Sequence, residues 1–123
     1  MEKNSYQVEI NRLIEVGNYV YKQLGHGCQE HVYKKVMELE LELRNIPFSK
    51  RVNKGSDFND DKETYLCFDK VIVGLETHSF LSEEQENKFM NSLKDVVTPI
   101  GLLFNFGYEN LQYIKIGGKC VLQ

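Results

Sequence analysis

The stretch Asp69-Lys70-Val71-Ile72-Val73-Gly74-Leu75-Glu76 decides the fold of this chain. Its centre is a compact β-branched run, which is the composition of a buried strand. A helical pattern follows in the next segment, as expected of a strand inside an α/β sheet. Because sites in such sheets form where strands end, Gly74 and Glu76 mark the place to look for chemistry.

Apolar residues spaced three and four apart predict three helices along the chain. They are expected at Tyr6–Leu24, Gln29–Arg44 and Ser82–Val97. Ser82 and Gln85 have the spacing of a capping box, which marks the start of the third helix. The buried stripe of the second helix is expected to be Val32, Val36, Leu39 and Leu43, widened by Tyr33 and Met37.

Five short runs rich in apolar residues predict strands, bounded by turn residues. The first three form an antiparallel meander, and the third helix then makes a crossover to a parallel fourth strand. The fold class is therefore α+β (mixed α/β), with a central four- to five-stranded mixed sheet flanked by helices. The strands are expected at Phe48–Val52, Glu63–Phe68, Val71–Leu75, Ile100–Phe106 and Leu111–Ile116. The predicted core, buried together, is Ile72, Leu102, Phe104, Leu93, Leu13 and Val36.

Length and charge limit the classes of protein to consider. The 123 residues suit one domain, 1–123, and the net charge of -3 argues against a nucleic-acid binder that relies on bulk positive charge. The three cysteines are widely spaced without a CxxC, which favours reduced thiols in a cytoplasmic protein. Neither a signal peptide nor a membrane helix is expected from the apolar runs.

Four short segments recur in order along the chain: Gly27-x-x-Glu30-x-x-Tyr33, Asn45-Ile46-Pro47-Phe48, Asp69-Lys70-Val71-Ile72-Val73 and Gly101-Leu102-Leu103-Phe104-Asn105-Phe106-Gly107. Together they resemble the bacterial GxxExxY protein family, a branch of the PD-(D/E)XK nuclease superfamily. The resemblance covers nearly the whole chain and implies a PD-(D/E)XK nuclease-like fold. It also implies a site in which an Asp and a Glu on adjacent strands hold Mg²⁺. A Lys two residues beyond that Glu would stabilise the attacking water and the developing phosphate charge, and a helix Glu would add a metal contact.

Carried over by position, this implied site is largely replaced. The helix Glu matches Glu30, but the Asp falls on Thr64, and the Glu-x-Lys pair falls on Gly74 and Glu76. The family's Gln and Tyr on the following helix fall on Lys88 and Ser92. The resemblance therefore predicts a domain that has lost catalysis and binds a macromolecule, protein or nucleic acid, without a cofactor.

The alternative is a divergent nuclease that uses Mg²⁺ or Mn²⁺. Its ligands would be Glu30 and Glu76, with Asp60 or Asp61 replacing the lost Asp. Glu30 also suits a helix start, where a carboxylate is favoured in any protein. A surface carboxylate at a strand end is likewise a common role for Glu76.

Other polar clusters have both a functional and a structural interpretation. Zinc would accept the residue types of His26, Cys28, Glu30 and His31, although their spacing matches no usual zinc pattern. His78 is a candidate base without a paired nucleophile. The acidic residues Asp57, Asp60 and Asp61 fit a solvated tip better than a calcium loop. Candidate phosphate contacts are Lys50, Arg51, Lys54 and Lys62, which would equally protect a hairpin edge from aggregation. These patterns name no partner and leave the oligomeric state open.

Overall fold

A computed structural model describes residues 6–53, 62–93 and 100–117. The predicted candidates Lys54, Asp57, Asp60 and Asp61 lie outside these ranges. The helices are α1 (Gln7–Leu24), α2 (Glu30–Leu43) and α3 (Glu83–Ser92). The strands are β1 (Phe48–Asn53), β2 (Lys62–Cys67), β3 (Val71–Glu76), β4 (Ile100–Asn105) and β5 (Gln112–Ile116). None of the described helices is long and apolar enough to cross a membrane.

The five strands form one mixed sheet in the order β1-β2-β3-β4-β5. The first three pair antiparallel, β3 and β4 pair parallel with Val73 opposite Leu102, and β5 returns antiparallel. Phe68 and Asp69 adopt positive φ angles of 58° and 57° in the tight turn between β2 and β3. The predicted fold class is confirmed, with β3 and β4 as central strands.

The sheet separates the core into two clusters, which corrects one prediction. Leu13, Leu102 and Phe104 are buried under α1 and α2, with Val36 packed at their margin. Ile72 and Leu93 are buried on the opposite side with α3. The six residues are therefore not buried together, because successive side chains of a strand point to opposite faces. We call the two sides the α1/α2 face and the α3 face.

The buried side of α2 agrees with the prediction at Tyr33 and Met37 and differs from it at Leu39 and Leu43. Tyr33, Met37 and Leu41 face the sheet, whereas Leu39 and Leu43 are 54% and 67% exposed. The helix carries apolar residues on two sides, and helical spacing alone does not say which side meets the sheet. The stacking of Tyr33 on Phe106 determines which side of α2 is buried.

A glycine in α1 allows the helix to approach β4 closely. A Cβ atom at Gly17 would lie 2.3 Å from Cε1 of Phe104. Gly17 is buried within α1, and Phe104 is completely buried in the centre of the α1/α2 face. The absence of a side chain at Gly17 therefore sets the distance between α1 and the sheet.

We predict that Gly17→Ala destabilises the protein by about 1–3 kcal/mol, the usual range for overpacking a core. Alanine is the better helix former by about 1 kcal/mol, so the sign of the change is diagnostic. Urea denaturation gives the measurement, with Asn18→Ala at an exposed α1 position as control. Phe104→Leu should make Gly17→Ala less harmful in the double variant. A Gly17→Ala protein as stable as the wild type would contradict the close contact.

Candidate functional site

The segment Gly27-x-x-Glu30-x-x-Tyr33 runs from the connection between α1 and α2 into the first turns of α2. Gly27 has a φ of 106°, which favours glycine. The Tyr33 hydroxyl donates to the carbonyl of Gly25 at 2.5 Å and accepts from the Cys28 amide at 3.3 Å. Its ring stacks on Phe106 with centroids 4.6 Å apart. Burial raises the pKa of Tyr33, so the hydroxyl stays protonated and able to donate. Gly27 and Tyr33 thus shape this connection.

Glu30 lies in the first turn of α2, beside a pair of ionic contacts. Its carboxylate is 3.1 Å from the ammonium of Lys34, which is also 3.6 Å from Glu63 on β2. This arrangement joins the start of α2 to the sheet on the α1/α2 face. The contacts of Glu30 therefore include an ion pair with Lys34 of its own helix.

Thr64, at the position of the superfamily's Asp, is buried on β2 and only 4% exposed. Its neighbours in the strand, Glu63 and Tyr65, make contacts with α2, so Thr64 points to the α3 face. It pairs with Arg51 on β1. On the other side lies β3, where Val73 pairs with Tyr65 and is followed by Gly74.

The ring of Phe89 from α3 covers Gly74, the residue on which the resemblance places the superfamily's Glu. A Cβ at Gly74 would be 2.8 Å from Cε1 of Phe89 and 3.0 Å from Cδ1 of Leu103. A Cβ at Gly101 on β4 would be 2.8 Å from the other edge of the same ring, at Cε2. Two glycines on adjacent parallel strands therefore create the space that one phenyl ring fills.

Glu76 ends β3, two residues after Gly74 and so on the same face of the strand. Its Oε1 is 2.9 Å from Nε2 of His78, and its carboxylate side chain is 12% exposed. The backbone carbonyl of Glu76 accepts a hydrogen bond from the amide of Phe106 at 2.8 Å. His78, the candidate base, is therefore a partner of a carboxylate.

Asn105 is a buried polar residue for which the sequence analysis proposed no role. Its Oδ1 accepts from the amides of His78 at 2.9 Å and Gly107 at 3.2 Å. Its Nδ2 donates to the His78 carbonyl at 3.0 Å and to Oε1 of Gln112 at 2.9 Å. This Asn105 hydrogen-bond cluster fixes the segment after Glu76. The signal in the sequence was one amide inside the apolar run Ile100–Phe106.

The two α3 positions carried over from the resemblance, Lys88 and Ser92, do not join these residues in a common polar site. Lys88 is exposed. Ser92 donates its hydroxyl to the Phe89 carbonyl of its own helix at 2.6 Å. Between them, Phe89 is the residue of α3 that is buried against the sheet.

The predicted basic cluster is divided by the sheet. Lys50 contacts Glu38 of α2 at 3.3 Å on the α1/α2 face. Arg51 follows it in β1 and therefore points to the α3 face, beside Thr64. Its Nη1 is buried and has no hydrogen-bond partner among the described residues. Lys62 pairs with Asn53 in the backbone register.

In the described ranges, no three His, Cys, Asp or Glu side chains come together as a metal-binding group. The predicted zinc interpretation of His26, Cys28, Glu30 and His31 thus finds no support in the geometry. Cys28 instead lies with its Sγ 3.9 Å from the carbonyl of Leu24.

A model of the PD-(D/E)XK nuclease superfamily matches residues 7–116. The chain belongs to the PD-(D/E)XK nuclease superfamily. Searches of curated proteins and of solved structures found no match. The order of helices and strands described above is consistent with this membership.

The superfamily implies a divalent cation, and the residues at its positions do not fit one. Hard cations prefer several oxygen ligands, carboxylates above all. Thr64 offers a neutral hydroxyl, and Gly74 offers no side chain and lies under the Phe89 ring. At the position where the resemblance places the metal-binding Glu, this chain therefore has an apolar contact between Gly74 and Phe89.

We predict that Asn105→Ala destabilises the protein by about 2–4 kcal/mol, because it removes four hydrogen bonds and leaves buried backbone groups without partners. Chemical denaturation measures the loss. Asn110→Ala, at an exposed position, should stay within about 0.5 kcal/mol of wild type. Equal stability of the two variants would show that the Asn105 hydrogen-bond cluster is dispensable.

Proposed function

We propose that this PD-(D/E)XK domain has lost catalysis and binds a macromolecule on the α3 face, with nucleic acid the favoured partner. The observation that carries the proposal is the ring of Phe89, which fills the space over Gly74 where the metal-binding Glu would stand. A cavity filled by an aromatic ring excludes both a carboxylate and a hydrated cation.

The charges at the replaced positions support the loss of hydrolysis. A metal's Lewis-acid effect is worth several kcal/mol, and each ~1.4 kcal/mol lost lowers the rate tenfold. Glu76 stands where the superfamily has a Lys, so a negative charge replaces the cation that would face the phosphate. That carboxylate repels a scissile phosphate, and more strongly in a drier cleft than in water.

Arg51 supports the choice of nucleic acid. It lies on the α3 face beside Thr64, and its side chain is only partly buried. A guanidinium presents a planar fork of donors that matches a phosphate. Lys50, its neighbour on β1, is instead paired with Glu38 on the opposite face.

The narrower expectations of the sequence analysis belong to this proposal. They are membership of the GxxExxY family, a single domain over residues 1–123, a cytoplasmic location, and binding of the macromolecule without Mg²⁺ or Mn²⁺. The match over residues 7–116 supports the coarser membership on which these expectations rest.

The first experiment is a cleavage assay with Mg²⁺ or Mn²⁺ on single-stranded DNA, duplex DNA and RNA. We expect no hydrolysis. Cleavage that disappears in both Glu30→Ala and Glu76→Ala would overturn the proposal in favour of the divergent nuclease.

The second experiment measures binding of the same three nucleic acids by fluorescence anisotropy. Arg51→Ala should weaken binding and reduce the slope of log K against log salt by about one, as expected for loss of one phosphate contact. Lys50→Ala is the matched control, because it removes the adjacent positive charge from the opposite face. Equal effects of the two variants, or no binding by the wild type, would contradict a phosphate site at Arg51.

A further inference from the structure

The outer side of α2 carries an apolar stripe that the fold buries only in part, at Val32 and Val36, and leaves exposed at Leu39 and Leu43. It consists of Val32, Val36, Leu39 and Leu43, and we call it the outer stripe. Leu39 and Leu43 are 54% and 67% exposed, although leucine is among the residues most often buried. The successive spacings of four, three and four residues are those of a coiled-coil seam. The sheet is already contacted by another side of the same helix, at Tyr33, Met37 and Leu41.

Two charges beside the outer stripe differ from the other carboxylates and cations of α2. Glu30, Lys34, Glu38 and Glu40 all have ion-pair partners within the fold. Lys35 and Glu42 are exposed and form no ion pair among the described residues. They lie two turns apart on the same edge of the outer stripe.

We infer that the outer stripe is the contact surface for a second copy of this chain, with the two α2 helices packed antiparallel about a two-fold axis. This inference is independent of the proposed nucleic-acid binding, which uses the opposite face of the sheet. The apolar spacing and the flanking charges of α2 are each complementary to themselves, which favours a second copy over an unrelated partner.

The apolar layers follow from antiparallel pairing of the seam. Val36 lies opposite the partner's Leu39, and Leu43 lies opposite the partner's Val32. The two-fold axis repeats each layer, so each valine faces a leucine. Alternating large and small side chains in this way lets the two seams interdigitate.

The same pairing brings opposite charges together. Lys35 and Glu42 each precede an apolar residue of the seam, Val36 and Leu43, by one position, so both lie on the same flank of α2. Antiparallel pairing about a two-fold axis places this flank against the same flank of the partner helix. When Val36 faces the partner's Leu39, Lys35 therefore lies beside the partner's Glu42, and the two-fold axis makes the contact twice. A symmetric interface must be complementary to itself in this sense. Tyr19 of α1, which is 39% exposed and lies under the guanidinium of Arg44, adds apolar surface beside the seam.

The test is sedimentation velocity over a concentration series from about 1 µM to about 1 mM, the range of weak complexes. We expect a reversible monomer–dimer equilibrium. Leu39→Gln with Leu43→Gln should give a monomer at every concentration. Phe80→Ser, which removes another exposed apolar side chain outside α2, is the control and should leave the equilibrium unchanged. A wild-type protein that stays monomeric throughout would overturn the inference.

Charge reversal tests the antiparallel arrangement. Lys35→Glu and Glu42→Lys should each weaken the dimer by about tenfold, because each replaces two attractive contacts with two repulsive ones. Mixing the two single variants should restore association as a heterodimer, since one then carries two acids and the other two bases at these positions. The double reversal in one chain should restore the homodimer.

Mixing the Lys35→Glu and Glu42→Lys variants shows whether the outer stripe binds a second copy of the chain or something else. A dimer that is unaffected by either single reversal, or two single variants that do not combine, would overturn the antiparallel pairing. If residues 118–123 of the same chain covered the stripe, the wild type would be monomeric and their removal would create a dimer, which also overturns it. Far-UV circular dichroism confirms that each variant is folded.

Discussion

The contact between one phenyl ring and two glycines determines both the packing and the chemistry of this domain. Phe89 lies on Gly74 and Gly101, which are on neighbouring parallel strands, with atoms so close that neither glycine has room for a Cβ. The ring also joins Ile72, Leu93 and Leu103 in the apolar cluster of the α3 face. Burial of a phenylalanine stabilises a fold by roughly 1.5–3 kcal/mol, so this contact holds α3 against the sheet. The same burial removes the space in which a carboxylate could hold a metal.

Other contacts hold the framework around Gly74 and Glu76. Tyr33 closes the connection between α1 and α2, and the Asn105 hydrogen-bond cluster fixes the segment that follows Glu76. Gly107 permits a close approach to this segment, since a Cβ there would lie 2.3 Å from the His78 carbonyl oxygen. These contacts require shape and hydrogen bonding rather than a metal. The fold therefore does not depend on the chemistry of the residues at this site.

Much of the architecture was predictable from the sequence because long apolar runs constrain it strongly. Val71–Leu75 and Ile100–Phe106, separated by a capped helix, indicated parallel central strands, and the structure confirms this pairing. The prediction for α2 was right at Tyr33 and Met37 and wrong at Leu39 and Leu43, because that helix has two apolar stripes. Only the tertiary contacts of Tyr33 distinguish them. A local pattern cannot tell a stripe that faces the sheet from one that faces another molecule.

The sequence indicated which residues occupy the candidate site but not which side chains surround them. The replacements at Thr64, Gly74 and Glu76 could be read from the resemblance, whereas the ring over Gly74 depends on how α3 crosses the sheet. By contrast, the separation of Lys50 and Arg51 to opposite faces followed from the alternation of side chains in the expected strand, and only their partners Glu38 and Thr64 required the structure. Asn105 was visible as an amide in an apolar run, but its two hydrogen bonds to the His78 backbone depend on the pairing of β3 with β4.

Calorimetric titration with Mn²⁺ tests most directly whether Phe89 closes the metal position. The wild type should give no saturable heat. Thr64→Asp, Gly74→Glu and Glu76→Lys together should bind Mn²⁺ only when Phe89→Ala is added, because the ring otherwise excludes the new Glu side chain. Stoichiometric Mn²⁺ binding by the wild type that is lost in Glu76→Ala would contradict the account.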